Sequence, residues 1–262
     1  MSTSLVRLER DAVDGLAEIV LASPPLNLFD RRLIDDLIGA LGEIAAEPPR
    51  ALLVRAQGKV VSGGVEVGLF DGLTPEAASL LWDELLTKVV EPIEAIPAPV
   101  VFAAHGLTLT AAFEIALACD LIVAARSARF GLVEAVVGLT PSMGGTQRLA
   151  ERAGSGRARE LVMTGELFDA DRLERWDVVN RVYADDEFER RSRELATKLA
   201  QGPTRAHAMT KHVVRRYLEG GVAAADHATR TEAGELFATE DLKGAVETFL
   251  ERGPGSAEFH NR

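Results

Sequence analysis

The chain has 262 residues, 47% of them hydrophobic, enough to bury a substantial core as one large domain or two smaller ones. Its 40 acidic and 29 basic residues give a formal charge of −11. That argues against a nucleic-acid or anionic-membrane partner, both of which draw on a basic surface, but not against a phosphorylated small molecule held by a local basic patch or helix N-termini.

In chain order, "MSTSLVRLERDAVDG" carries charges where a secretory signal would have its apolar segment. "GLAEIVLA" (15–22), "RALLVRA" (50–56), "PVVFAA" (99–104) and "DLIVAA" (120–125) read as strands. Between the first two, "RRLIDDLIGALGEIAA" (31–46) sets Leu33, Ile34, Leu37, Ile38, Leu41 and Ile44 on one helical face. A second helix, 75–96, opens on a proline suited to its first turn. Strands alternating with helices indicate an α/β fold with crossover connections. After about residue 140 strands nearly vanish, "WDVVNRVY" being the last plausible one. From "DDEFERRSRELATKLA" to about Arg252 the chain reads as helical, with a breakpoint near "QGP" (201–203) and a polar tail.

Residues 100–125 are apolar enough to raise a membrane span, but His105, Glu114 and Asp120 lie inside. Cys119 has no partner for an internal disulfide and fits a reducing compartment, so a cytoplasmic location is expected. Several motifs fail. "GSGRAR" lacks the third glycine of a dinucleotide fingerprint, and no P-loop is present. "TPSMG" and "VVSGG" lack the first glycine of a serine nucleophile elbow. His207 and His212 are five apart on different helix faces, so no metal site is expected.

The segment "TAAFEIALACD" (110–120) poses a sharper question, because Glu114 is the one charged residue between Ala111 and Cys119. A buried carboxylate costs several kcal/mol unless it is paired, hydrogen-bonded or put to use. Three stretches taken together suggest a use: "KVVSGGVEVG" (59–68), "PVVFAAHGLTLTAAFEIALACD" (99–120) and "ARFGLVEAVVGLTPSMGGTQRL" (128–149). In this order and spacing they resemble the enoyl-CoA hydratase/isomerase (crotonase) family. That family has a small-residue loop with an acid, a turn into a helix bearing an acid, and a second acid twenty residues on, ahead of "GGTQRL". The resemblance continues through "LVMTGELFDADRLERWDVVNRVY" and "FATEDLKGAVETFLER", over nearly the whole chain.

The resemblance implies a spiral core of repeated ββα units over residues 1–200 and a helical C-terminal oligomerisation region over 201–262, forming a homotrimer or dimer of trimers. It implies catalytic Glu114 and Glu134, an oxyanion hole from the N–H groups of Val65 and Ala111, and an acyl-CoA site along Leu26, Gly63, Gly64, Val65, Glu66, Val67, Gly68 and Ala111. The implied reaction is hydration of a trans-2-enoyl-CoA to a 3-hydroxyacyl-CoA, with no cofactor beyond the CoA of the substrate. A double-bond isomerase needing Glu134 alone and a non-catalytic acyl-CoA binder are the alternatives. By position, Leu69, Phe70 and Trp82 are candidates for the acyl-pocket wall.

Departures from the family pattern are specific. Thr110, Ala111 and Ala112 stand where three glycines are usual, Glu66 replaces Asp, His105 replaces Asn and Ser142 replaces Gly. Pro24 and Pro25 stand where a basic residue often approaches the CoA phosphates. An alanine at any of the glycine positions that requires φ > 0 costs about 1 kcal/mol or more. Thr110 is expected to cap the helix by accepting from the N–H of Ala112 or Phe113, leaving that of Ala111 free.

Overall fold

A computed structural model describes residues 4–11 and 13–262. The strands in chain order are β1 (Val6–Arg10), β2 (Leu16–Leu21), β3 (Ala51–Ala56), β4 (Val100–Ala104), β5 (Leu107–Leu109), β6 (Leu121–Ala125), β7 (Arg129–Gly131), β8 (Phe168–Asp169) and β9 (Arg181–Tyr183). The main sheet has the order β1-β2-β3-β4-β6-β9, with β1 antiparallel to β2 and every other pair parallel. A smaller sheet pairs β5 parallel to β7 and β7 antiparallel to β8.

The four strands expected from apolar runs are β2, β3, β4 and β6. Each is buried along almost its whole length, as a parallel sheet covered on both faces requires. The strands not expected are short or charged: β1 carries Arg7, Glu9 and Arg10 at the sheet edge, and β5, β7 and β8 have two or three residues each.

Alternation along the strands serves two layers. Ile19, Val54, Phe102 and Ala104 face one core with Leu33, Leu37 and Phe113, while Leu16, Leu53, Val101 and Val123 face a second with Leu195, Ala196 and Ala200. The first layer holds α1 (Arg31–Ala46), whose predicted face is the buried one and whose N-cap Asp30 accepts from the N–H of Leu33. The expected helix over 75–96 is α2 (Pro75–Leu85), one wide turn at Leu86–Val90, and α3 (Glu91–Ala95). Next come α4 (Ala111–Ala118), α5 (Gly145–Ala153), α6 (Ser155–Thr164), α7 (Ala170–Arg175) and α8 (Phe188–Ala200). Helix α8 supplies the second layer. There Glu18, 3% exposed, is ion-paired with Arg55 and Arg193, which answers its desolvation.

Beyond residue 201 run α9 (Thr204–Thr231), kinked at Gly220 and Gly221, and α10 (Glu240–Arg252). Lys211 of α9 donates to the carbonyls of Ile96 and Ala98 and pairs with Asp120 at 2.8 Å. Arg50 donates to the carbonyls of Gly202 and Phe259, so both ends of this segment return to the strand layer. Among the described residues no helix is long and apolar enough to cross a membrane, and no cluster of metal-ligating side chains occurs.

Candidate active site

The loop that follows β3 is set by a buried asparagine. Asn27, with φ 46°, donates through its side-chain amide to the carbonyls of Gln57 and Val60 and accepts from the N–H of Ser23. Ser62 donates its hydroxyl to the Asn27 carbonyl at 2.8 Å and accepts from the N–H of Gly64 at 2.9 Å. Gly63 donates to the carbonyl of Leu26, Phe29 to that of Gly64, and Glu66 to that of Phe29. Gly64 has φ 109°, a conformation suited to glycine. Asn27 and Ser62 escape a reading by motif, because their work is done through backbone groups far apart in sequence.

Residues 110–112 behave differently from the expectation. Thr110 takes φ 46° and ψ −120° and makes no hydrogen bond to the first turn of α4. Capping side chains fold back over a helix from extended backbone, and Thr110 is not in that region. Instead its Oγ1 accepts from the N–H of Val65 at 3.1 Å, across the site. The positive φ thus falls on a β-branched residue, a conformation that costs on the order of 1–3 kcal/mol. The alanine penalty does not arise, because Ala111 and Ala112 lie within α4 without positive φ. As the first residue of that helix, Ala111 has an N–H without an intrahelical acceptor.

Glu114 is 2% exposed. Its Oε2 accepts from the N–H groups of Met143 and Gly145, each at 2.8 Å. These amides open α5, so the carboxylate meets a helix N-terminus, where the dipole favours negative charge. Burial nevertheless dominates and raises the Glu114 pKa to about 7, against the lowering by the amides and Arg148. Arg148 also fixes the loop, pairing with both oxygens of Glu94 at 2.7 and 2.8 Å and donating to the Gly144 carbonyl.

Glu134 begins a short 3-10 turn, Glu134–Val137, just past β7. Burial and then the charge of Glu114 push its pKa up to about 7, and its Oε2 is buried without a hydrogen-bond partner. Two carboxyls twenty residues apart in sequence therefore share one electrostatic site. One protonated and one ionised member is the arrangement such a pair favours near neutral pH.

The remaining candidates sit around the 62–68 loop. Leu26 is 45% exposed and Val67 58%, while Glu66 caps the turn Val67–Phe70 by accepting from the N–H of Gly68 at 3.2 Å. Phe70 and Trp82 contact each other at 6.2 Å between ring centroids, and Leu69 packs against the core. His105 contacts the Gly58 carbonyl through Nε2 at 3.0 Å. Its neighbour Gly106, with φ 59°, leaves no space for a Cβ beside the Lys59 carbonyl. Pro24 and Pro25 are exposed.

Comparison with known proteins bears on the family and the fold. The family model described as enoyl-CoA hydratase/isomerase matches residues 11–260. A short-chain-enoyl-CoA hydratase of Clostridium acetobutylicum is 34% identical, over 96% of this chain and 97% of that protein. A crotonyl-CoA hydratase of Syntrophomonas wolfei is 29% identical over 96% and 97%. The crystal structure of enoyl-CoA hydratase from Mycobacterium smegmatis superposes with a TM-score of 0.88 at 27% identity, covering 95% of this chain and 96% of that one. With the family model matched over nearly the whole chain and a relative 34% identical along its length, the chain belongs to the enoyl-CoA hydratase/isomerase family.

Proposed function

We propose that this protein hydrates a trans-2-enoyl-CoA thioester to the 3-hydroxyacyl-CoA. The observation that carries the reading is the Glu114–Glu134 pair, with both pKa values raised to about 7 and the charge of one acting on the other. A pair in this range, Glu114 buried and Glu134 half-buried, supplies one base and one acid at neutral pH. Glu114, gripped by the α5 amides, orients and deprotonates a water whose oxygen attacks C3. Glu134 delivers a proton to C2, so the net change is addition of one water. Charge that builds on the thioester oxygen is met by the Ala111 N–H at the positive end of α4, with the Val65 N–H, engaged by Thr110 Oγ1, on the other side of the site. No cofactor enters apart from the CoA of the substrate.

Retention of Glu114 supports hydration over a one-acid isomerisation. The engaged Val65 N–H is the observation on the side of a binder without turnover. The same reading places the protein in the cytoplasm as a homotrimer or dimer of trimers through residues 201–262. Exposed Val214, Leu218, Val222, Phe249 and Leu250 on α9 and α10 support self-association, and light scattering tests it.

The deciding experiment is a screen of 2-enoyl-CoA and 3-enoyl-CoA substrates over several acyl lengths, beside calorimetry with a saturated acyl-CoA. Turnover of the 2-enoyl series to 3-hydroxyacyl-CoA is the expected result. Conversion of the 3-enoyl series alone assigns isomerisation, and tight binding without turnover of either assigns a binder.

A further inference from the structure

We infer that the γ-hydroxyl of Thr110 is itself a donor to the thioester oxygen, held in place by the Val65 N–H, with the Ala111 N–H as the second donor. This rests on the thioester reading above.

Three features of the site converge on it. First, the Val65 N–H is already engaged, donating to Thr110 Oγ1 at 3.1 Å. Second, that hydroxyl donates its own proton to no acceptor among the described residues, although Thr110 is only 8% exposed. Third, the backbone holds this β-branched residue at φ 46°, and such strain persists where the surroundings over-determine it. Gly64 makes the approach feasible: a Cβ there would stand 2.8 Å from Thr110 Oγ1.

A hydroxyl that accepts one hydrogen bond is polarised into a better donor of its own. In the ground state the thioester oxygen takes a hydrogen bond from Oγ1–H. As negative charge grows on that oxygen the bond strengthens, and the Val65 N–H supports the hydroxyl from behind. No proton is transferred and no bond breaks at Thr110. The amide–amide hole usual for the family becomes an amide–hydroxyl hole, with the second amide moved one step back.

The test compares T110S, T110V and T110G with the wild type. One readout is hydration of crotonyl-CoA; the other is the carbonyl stretch of bound butyryl-CoA, a thioester without the reactive double bond. T110S is expected to keep kcat within a few-fold. T110V, close in shape but without the hydroxyl, is expected to lose about 10²–10³-fold in kcat, the loss seen on removing one oxyanion donor. Its KM should change little, and the bound carbonyl stretch should move back toward its free value. Binding of butyryl-CoA by T110V shows that the variant is folded.

A T110V enzyme with wild-type kcat overturns the inference. So does one that loses kcat with an unmoved carbonyl stretch, which marks Thr110 as structural. T110G that exceeds the wild type shows that the hydroxyl obstructs the hole and also overturns it. If the wild type shifts the butyryl-CoA carbonyl yet hydrates nothing, the hydration reading fails. Loss of that shift in T110V then still carries the role of Thr110. An unshifted carbonyl in the wild type sinks the inference at any hydration rate.

Discussion

Gly145 brings its N–H to 2.8 Å from Glu114 Oε2, and a Cβ on the same residue would stand 2.7 Å from Glu114 Cγ. The second glycine of "GGTQRL" is therefore a spacing device: the start of α5 can reach the carboxylate only with no side chain between them. Gly145→Ala is expected to push Glu114 aside in a site where both neighbours are buried. Overpacking of this kind costs about 1–3 kcal/mol, and a misplacement near 1 Å at reacting groups costs on the order of 10² in rate. Urea denaturation and the crotonyl-CoA assay check the two effects. Wild-type activity in the alanine variant would remove the spacing argument.

The acid pair gives a pH signature with a definite sign. Both pKa values rise from an ordinary 4.5 to about 7 on folding, so between those pH values the folded state holds more protons than the unfolded chain. Stability contributed by these groups therefore falls as pH rises through the 4.5–7 window and stays low above it. Glu114→Gln removes one such group, so its stability relative to wild type should improve from pH 5 to pH 8. Chemical denaturation at the two pH values measures this. Hydration by the wild type should follow a bell-shaped kcat/KM profile near neutrality, and either Glu→Gln change should lower kcat about 10²–10⁴-fold. In Glu114→Gln the like charge beside Glu134 is gone, so the Glu134 pKa should move down. Carbon-13 NMR of labelled glutamate carboxyls reads that shift directly.

Much of this was legible in the residues, and the parts that were not have a physical reason. The period-3.6 face of 31–46 and the apolar runs at 15–22, 50–56, 99–104 and 120–125 mark elements whose burial is large, so local pattern and tertiary structure agree there. Glu114 stood out as a lone charge on an apolar segment and Glu134 through the family resemblance, and the charge of Glu114 acts on Glu134 in the fold. Thr110 misled because the rule for N-caps presumes extended backbone, whereas contact with Gly131 and the 62–66 loop sets φ here. Asn27 and Ser62 were invisible because they bond backbone groups about 30 residues away, as with Asn27 to Gln57 and Val60. Neither bond leaves a periodic trace.

Arg148 reaches the site without touching the reacting groups. Its guanidinium is bidentate on Glu94, with side-chain exposures of 16% and 33%, and it lowers the pKa of Glu114 at a distance. Arg148→Met keeps the aliphatic stem but deletes the charge. Glu94 is then left half-buried without its partner, a loss of about 1–3 kcal/mol. With the opposing charge gone, Glu114 should hold its proton to higher pH. The ascending limb of the kcat/KM profile should therefore move alkaline. A stability loss with an unmoved profile would confine Arg148 to holding the loop.

Thr110→Gly pits three terms of similar size against one another. Glycine relieves a strained positive φ worth on the order of 1–3 kcal/mol. It forfeits the hydrogen bond from the Val65 N–H, about 0.5–1.5 kcal/mol net, and it adds unfolded-state freedom worth about 0.5–1 kcal/mol. The ranges sum to between about −1.5 and +2 kcal/mol and centre near zero, so the variant should unfold close to the wild-type urea midpoint. A threonine here is then neither a stability device nor a burden, and whatever keeps it must lie in the site. Destabilisation well beyond about 2 kcal/mol would show that the Val65–Thr110 contact is chiefly a tie between the 62–66 loop and α4.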